Sequence, residues 1–225
     1  MMQAEVMKLL EDHHALVTHT HVVFTSGRHG DTYINKDAIY LDTAGVSRLC
    51  EGIAKEFSGS QIDVVAAPAV GGVALAQWTA HHLSQRISPP VLAVYAEKQP
   101  DRSFAFRRGY DAILEERRVL VVEDVLTTGA SVRAVVEAAR ACSGNVVGVA
   151  AICNRGRVTA ADVGSPERFI ALAELPLDSW DEASCPLCAQ GVPVNTSVGK
   201  GREFLARHQQ SHTGLAGGVG LVLAS

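Results

Sequence analysis

The stretch Val119-Leu120-Val121-Val122-Glu123-Asp124-Val125-Leu126-Thr127-Thr128-Gly129-Ala130-Ser131 decides the fold. Its leading aliphatic run reads as a buried strand of a parallel sheet, because a strand covered on both faces needs no polar alternation. Two carboxylates, Glu123 and Asp124, stand at the carboxyl end of that strand. The turn from Thr127 to Ser131 then opens a helix whose apolar residues Val132, Val135, Val136 and Ala139 recur at helical spacing. Ligand crevices form at such carboxyl edges of parallel sheets.

The residue types of the turn are specific. Thr127, Thr128 and Ser131 offer hydroxyls, and Gly129 lets the backbone approach a ligand closely. The free N–H groups of the helix start converge there on one anion, which describes a phosphate site. No Gly-Lys-Ser/Thr follows the glycine, so this is not a Walker loop. The acidic pair would repel a phosphate unless it faces something else, and vicinal sugar hydroxyls are the natural candidate. Phosphate on the turn and hydroxyls on the acids describe a ribose 5-phosphate. The bland alternative is an ordinary strand–turn–helix with a Ser or Thr cap.

These residues resemble the phosphoribosyl-pyrophosphate signature of type I phosphoribosyltransferases. The resemblance spans about residues 20–175 and implies an α/β domain: a central, mostly parallel sheet flanked by helices, with an N-terminal hood. It implies domain limits of 1–175 (hood about 1–40, core about 41–175) and leaves 176–225 as an extension of unclear role. It also implies that Glu123 and Asp124 orient the ribose, and that Val125, Leu126, Thr127, Thr128, Gly129, Ala130 and Ser131 hold the 5′-phosphate. Mg²⁺ is implied too, held mainly by substrate near Glu123 and Asp124.

The rest of the chain adds detail. Strand residues 62–67 lead into Pro68-Ala69-Val70-Gly71-Gly72, where paired glycines admit an anion. In the resembling family this loop holds pyrophosphate, with Val70 and Gly71 in contact. Strand 91–96 ends in Glu97-Lys98; the orotate branch of the family usually shows Arg-Lys there. Lys98 is the implied pyrophosphate ligand and joins Asp124 and Glu123 in the catalytic set. Residues 99–112 are polar and irregular, as expected of a loop. The family's mobile catalytic loop belongs here, but its Lys-x-His-Gly pattern is absent, which leaves Arg102, Arg107 and Arg108 as the replacement charges. Tyr110 would pack beneath the closed loop.

The base site rests on an orotate-type resemblance. Ser26-Gly27-Arg28 and Tyr33-Ile34-Asn35 look like the hood segment of orotate phosphoribosyltransferases, and they read as a hairpin outside the main sheet. Arg155, after strand 146–152, matches the arginine that binds the carboxylate of the base, a role suited to a guanidinium fork. Thr127, Arg155, Tyr33, Ile34 and Lys36 are therefore the implied base ligands. For Lys36 a solvent-facing hairpin lysine is the competing reading. Thr25, Glu97 and Asn154 depart from the usual Lys, Arg and Asp of the orotate branch. A phosphoribosyltransferase for a purine or other base, and a non-catalytic nucleotide-binding regulator, stay open as alternatives.

Composition sets the remaining bounds. In a chain of 225 residues, 47% hydrophobic content and a mean hydropathy of +0.12 suffice for a buried core. A net charge of −4 argues against a nucleic-acid partner held through its phosphates. No apolar run approaches the ~20 residues of a membrane span, and no signal-peptide pattern opens the chain. Five cysteines suggest reduced thiols in a cytoplasm. The implied partners are small-molecule substrates and a second copy of the chain in a homodimer. Cys185-Pro186-Leu187-Cys188 has metal-ligand spacing, and His208 and His212 lie downstream, but the gap is long for a zinc finger. The pair reads as unliganded thiols, and His13, His14, His19 and His21 as solvated or packed.

Overall fold

The computed structural model describes residues 2–213, with side chains through Gln209. It opens with α1 (Met2–Asp12), β1 (Leu16–Val17), β2 (Val22–Val23), β3 (His29–Gly30) and β4 (Tyr33–Ile34). There follow α2 (Lys36–Ile39), α3 (Thr43–Phe57), β5 (Val64–Pro68), α4 (Gly72–Ser84), β6 (Leu92–Lys98) and β7 (Phe104–Phe106). Next come α5 (Tyr110–Leu114), β8 (Arg118–Leu126), α6 (Ala130–Ala141), β9 (Asn145–Asn154) and β10 (Arg168–Glu174), then α7 (Pro186–Ala189) and α8 (Gly201–Thr213).

The main sheet runs β10-β9-β8-β5-β6-β7, parallel throughout except for β7, which pairs antiparallel with β6 at one edge. The aliphatic run of the central motif is β8, and all of Val119–Asp124 is buried. Alternate residues of this strand serve opposite faces. Val119 and Val121 pack with Val132, Val135, Val136 and Ala139 of α6. Leu120 turns the other way, towards Phe57 of α3; a side chain on Gly148 would collide with both. The helical stripe Val46, Leu49, Cys50, Ile53 and Phe57 is buried, and the Asp42 side chain caps α3 by accepting from the Gly45 N–H at 2.8 Å. Such a cap contributes about 1 kcal/mol.

Two differences from the sequence reading have physical causes. Residues 99–112 are not one loop. Phe104 and Phe106 alternate with Ala105, bury their rings, and extend the sheet as β7, after which α5 begins at Tyr110. The domain limits differ as well. The chain divides into one compact unit of Met1–Ala15 with Lys36–Pro176, and a second built from Leu16–Asn35 and the residues from Leu177 onward. Helix α1 belongs with the first unit because its buried Val6, Leu9 and Leu10 need an apolar partner, which β10 and α3 supply. The hairpin β2–β3 belongs with the C-terminal residues because His29 exchanges two 2.8 Å backbone hydrogen bonds with Trp180. Thus 16–35 and the described residues from Leu177 onward form one body. Within it, β1 pairs with β4 and β2 with β3, both antiparallel and outside the main sheet.

Candidate active site

The carboxyl end of β8 brings most of the expected residues together. Asp124 is 1% exposed, and every oxygen of its carboxylate is engaged. Its Oδ2 accepts from Lys36 Nζ at 2.9 Å and from the Tyr40 hydroxyl at 3.0 Å, and its Oδ1 accepts from the Val125 N–H at 2.7 Å. Burial works against the Lys36 ammonium, yet the Asp124 charge outweighs it and lifts the Lys36 pKa. Burial and then Asp124 also push the Tyr40 phenol far above its usual range, so it stays a donor. Lys36 thus begins α2 and is tied to Asp124 rather than standing on a hairpin. Gly71 is in the same cluster: a Cβ there would lie 2.9 Å from Asp124 Oδ2 and 3.1 Å from Lys36 Nζ. Val70 beside it is 86% exposed.

Glu123 differs sharply from its neighbour. Its Oε1 accepts from the Asp124 N–H at 3.2 Å. Burial, with the Asp124 charge acting in the same direction, raises its carboxyl to about 8. At neutral pH a protonated Glu123 offers a hydroxyl-rich ligand a donor beside the Asp124 carboxyl oxygens. This pair is not a cage for a hard cation, which prefers several ionised or carbonyl oxygens. The donor set fits a divalent ion shared with substrate oxygens.

Beyond the acids, Glu123, Val125, Leu126, Thr127, Thr128, Gly129, Ala130, Ser131 and Val132 line a cavity of about 120 Å³. Thr127, Thr128, Ala130 and Ser131 are exposed, and α6 opens at Ala130, so its first N–H groups lack intrahelical acceptors. Gly129 sits in the left-handed region at φ 74°, with Val158 and Val163 packed where a Cβ would project. Only glycine meets both demands without strain.

Arg155 is anchored to this turn by backbone. The N–H groups of Arg155 and Gly156 both donate to the Leu126 carbonyl, at 2.9 and 3.1 Å. Gly156 lies so close to Thr127 that a Cβ would fall 1.6 Å from its carbonyl oxygen. Arg155 itself is 5% exposed. Asn154, at the position where an Asp was expected, uses both ends of its amide: Nδ2 donates to the Val158 carbonyl at 2.9 Å, and Oδ1 accepts from the Val158 N–H at 3.0 Å. A carboxylate would lose the first of these bonds.

This arrangement matches known sequences. The profile of the phosphoribosyl transferase domain aligns with residues 37–180. The orotate phosphoribosyltransferase of Caldanaerobacter subterraneus is 35% identical over 84% of this chain and 92% of its own length. The chain belongs to the type I phosphoribosyltransferases. The orotate phosphoribosyltransferase of Thermus thermophilus is 36% identical over 77% of this chain and 90% of that protein. The Mycobacterium tuberculosis orotate phosphoribosyltransferase in complex with 5-phospho-α-D-ribosyl 1-diphosphate shares the fold at a TM-score of 0.57 and 22% identity, over 78% of this chain and 97% of its own.

The remaining expected residues of this phosphoribosyltransferase lie on other elements. Lys98 ends β6 with its side chain exposed, opposite Phe104 of β7. Arg108 pairs with Glu97 at 2.9 Å, Arg107 donates to Gln99 at 2.8 Å, and Arg102 is exposed. Tyr33 and Ile34 form β4 in the second unit. Tyr40 escaped the sequence reading, although its place four residues after Lys36 puts both on one helical face.

Proposed function

We propose that the protein transfers the 5-phosphoribosyl group from phosphoribosyl pyrophosphate to orotate, giving orotidine 5′-monophosphate and pyrophosphate. The C1′–oxygen bond breaks, its electrons leave with pyrophosphate, and a ring nitrogen of the base bonds to C1′ while its N–H proton passes to the departing pyrophosphate. The observation that carries the reading is a buried guanidinium, Arg155, tethered through Leu126 to the phosphate turn. A guanidinium recognises a carboxylate in a fork, and orotate carries a carboxylate that a purine base lacks. Relatives named orotate phosphoribosyltransferase, 35% and 36% identical, support it.

In this reading residues 127–131 hold the 5′-phosphate, Asp124 and Glu123 hold the ribose hydroxyls, and Val70, Gly71 and Lys98 meet pyrophosphate. Lys36 joins Arg155 and Thr127 around the base, and Arg102, Arg107 and Arg108 add charge near the leaving group. Lys36 and Tyr40 hold Asp124 in one orientation, so the chain supplies positioning and electrostatics more than covalent chemistry. Mg²⁺, held mainly by substrate near Glu123 and Asp124, would neutralise pyrophosphate charge. The protein acts as a cytoplasmic homodimer.

Pyrophosphate release with phosphoribosyl pyrophosphate and each of orotate, uracil, adenine and hypoxanthine tests the assignment. Orotate alone should give product, and Arg155→Ala should abolish its use while the protein stays folded by circular dichroism. Turnover of a purine without turnover of orotate would sink the reading.

A further inference from the structure

The second unit contains a cluster that the phosphoribosyl chemistry does not use. His21, His29, Cys185 and Cys188 direct one ligand atom each into a space where all four atoms lie within 4.8 Å of one another. We propose that these four side chains bind a structural zinc ion that ties the N-terminal hairpin to the C-terminal segment.

Local structure explains why they meet. Val23 pairs with His29 across β2–β3, and His21 lies two residues before Val23, so both imidazoles share one face of the hairpin. Cys185 and Cys188 flank the first turn of α7, three residues apart on one side. The two halves are then laced by backbone. His29 pairs with Trp180, and the Asn195 N–H donates to the His21 carbonyl at 2.7 Å. Of the downstream histidines, His208 is not in this group. His208 instead contacts Glu182 Oε1 at 2.8 Å, and the side chain of His212 lies outside the described residues.

Hydrogen bonding alone leaves the cluster unsatisfied. His21 Nδ1 lies 2.7 Å from the Val192 carbonyl, which only accepts, so Nδ1 carries the proton and Nε2 presents a lone pair. Three groups crowd that lone pair: His29 Nδ1 at 2.8 Å, Cys185 Sγ at 3.7 Å and Cys188 Sγ at 3.7 Å. One lone pair serves one donor well, whereas a cation at the centre serves all four atoms. The nitrogen–sulfur spacing suits that centre. Tetrahedral zinc with Zn–N of about 2.0–2.1 Å and Zn–S of about 2.3 Å separates nitrogen from sulfur by about 3.6 Å. The nitrogen–sulfur contacts here are 3.4, 3.7 and 3.7 Å. The His21–Val192 contact is the outer hydrogen bond that fixes the tautomer of zinc-bound histidines.

The chemistry of the set favours zinc and a structural role. Two thiolates neutralise the charge of Zn²⁺, so the ion can sit among residues as buried as His21, His29 and Cys185, at 1%, 0% and 3% exposure. Four protein ligands leave no open position for catalysis. Neither cysteine is tied up in a disulfide, which leaves both sulfurs available as ligands. The unit also needs a staple: its strands are two residues long, and small bodies with so little core depend on metals or disulfides.

The test is elemental analysis of the full-length protein purified without chelator. It should contain about one zinc per chain. Cys188→Ser and His29→Asn should lose that zinc, while His208→Ala keeps it. To separate loss of metal from loss of fold in the ligand variants, a second measurement uses the wild-type chain. Zinc is removed with chelator under reducing conditions and Co²⁺ is added. Intense visible bands of tetrahedral cobalt with thiolate charge transfer should appear, and Zn²⁺ should abolish them. Chelation should also lower the melting temperature and expose two further thiols to a thiol reagent. Absence of both zinc and cobalt uptake by the reduced protein overturns the proposal. So does full zinc retention in Cys188→Ser and His29→Asn, or a stoichiometric metal other than zinc.

Discussion

At the scale of single residues, the adjacent carboxylates Glu123 and Asp124 behave as opposites because their partners differ. Asp124 has a cation, a phenol and a backbone N–H; Glu123 has burial and a like charge. Asp124→Asn keeps the shape and one acceptor oxygen. It should cut kcat on the order of 10²–10³-fold, as loss of an oriented charge does. Its stability should fall only about 1–2 kcal/mol, since Lys36 is 41% exposed and can turn to water. Steady-state kinetics beside urea denaturation reads both numbers, and near-wild-type turnover would remove Asp124 from the mechanism. Glu123 sets a pH dependence. Its folded pKa, about 8, lies above its usual value of 4.5, so between those limits the native state binds more protons than the unfolded chain. Stability must then fall as pH rises through that window, on the order of a few kcal/mol. Urea midpoints at pH 5, 6.5 and 8 should show the decline in wild type and a flatter profile in Glu123→Gln. The motif carrying these residues was legible because its acids, hydroxyls and glycine are contiguous. Tyr40 was not, because its partner Asp124 lies 84 residues away.

At the scale of elements, the site depends on how closely β9's exit approaches β8's exit. Gly156 rests on the Thr127 carbonyl, so the phosphate turn and the guanidinium of Arg155 move together. Gly156→Ala must push the two apart. It should cost about 1–3 kcal/mol of stability, as overpacking does, and raise KM for both phosphoribosyl pyrophosphate and orotate. An increase confined to one substrate would show that the two subsites are mechanically independent. The parallel strands and the amphipathic helices were readable from runs and periodicities that span whole elements. Strand β7 was not. Its Phe104-Ala105-Phe106 alternation is too short to stand out among polar neighbours, and it becomes a strand because β6 offers a free edge. The Glu97–Arg108 pair across that hairpin likewise balances a departure from the family pattern that looked uncompensated in the sequence.

At the scale of the whole molecule, the sequence gives a good account of the sheet and a poor one of the chain's division. Periodicity reports what a segment buries, not which distant segment it buries it against. The pairing of 16–35 with the C-terminal residues leaves no local mark. The proposed homodimer belongs to this scale. Sedimentation equilibrium should give twice the 23.8 kDa chain mass, and a monomer active at the same concentration would refute it. The discontinuity of the second unit also has a consequence for synthesis. Cys185 follows its partner His21 by 164 residues. At ribosomal rates of ~5–20 residues per second, the hairpin waits roughly 8–30 s for the segment that completes it. The N-terminal hairpin is therefore made early and finished last, and a chain arrested before Cys185 carries it without its other half.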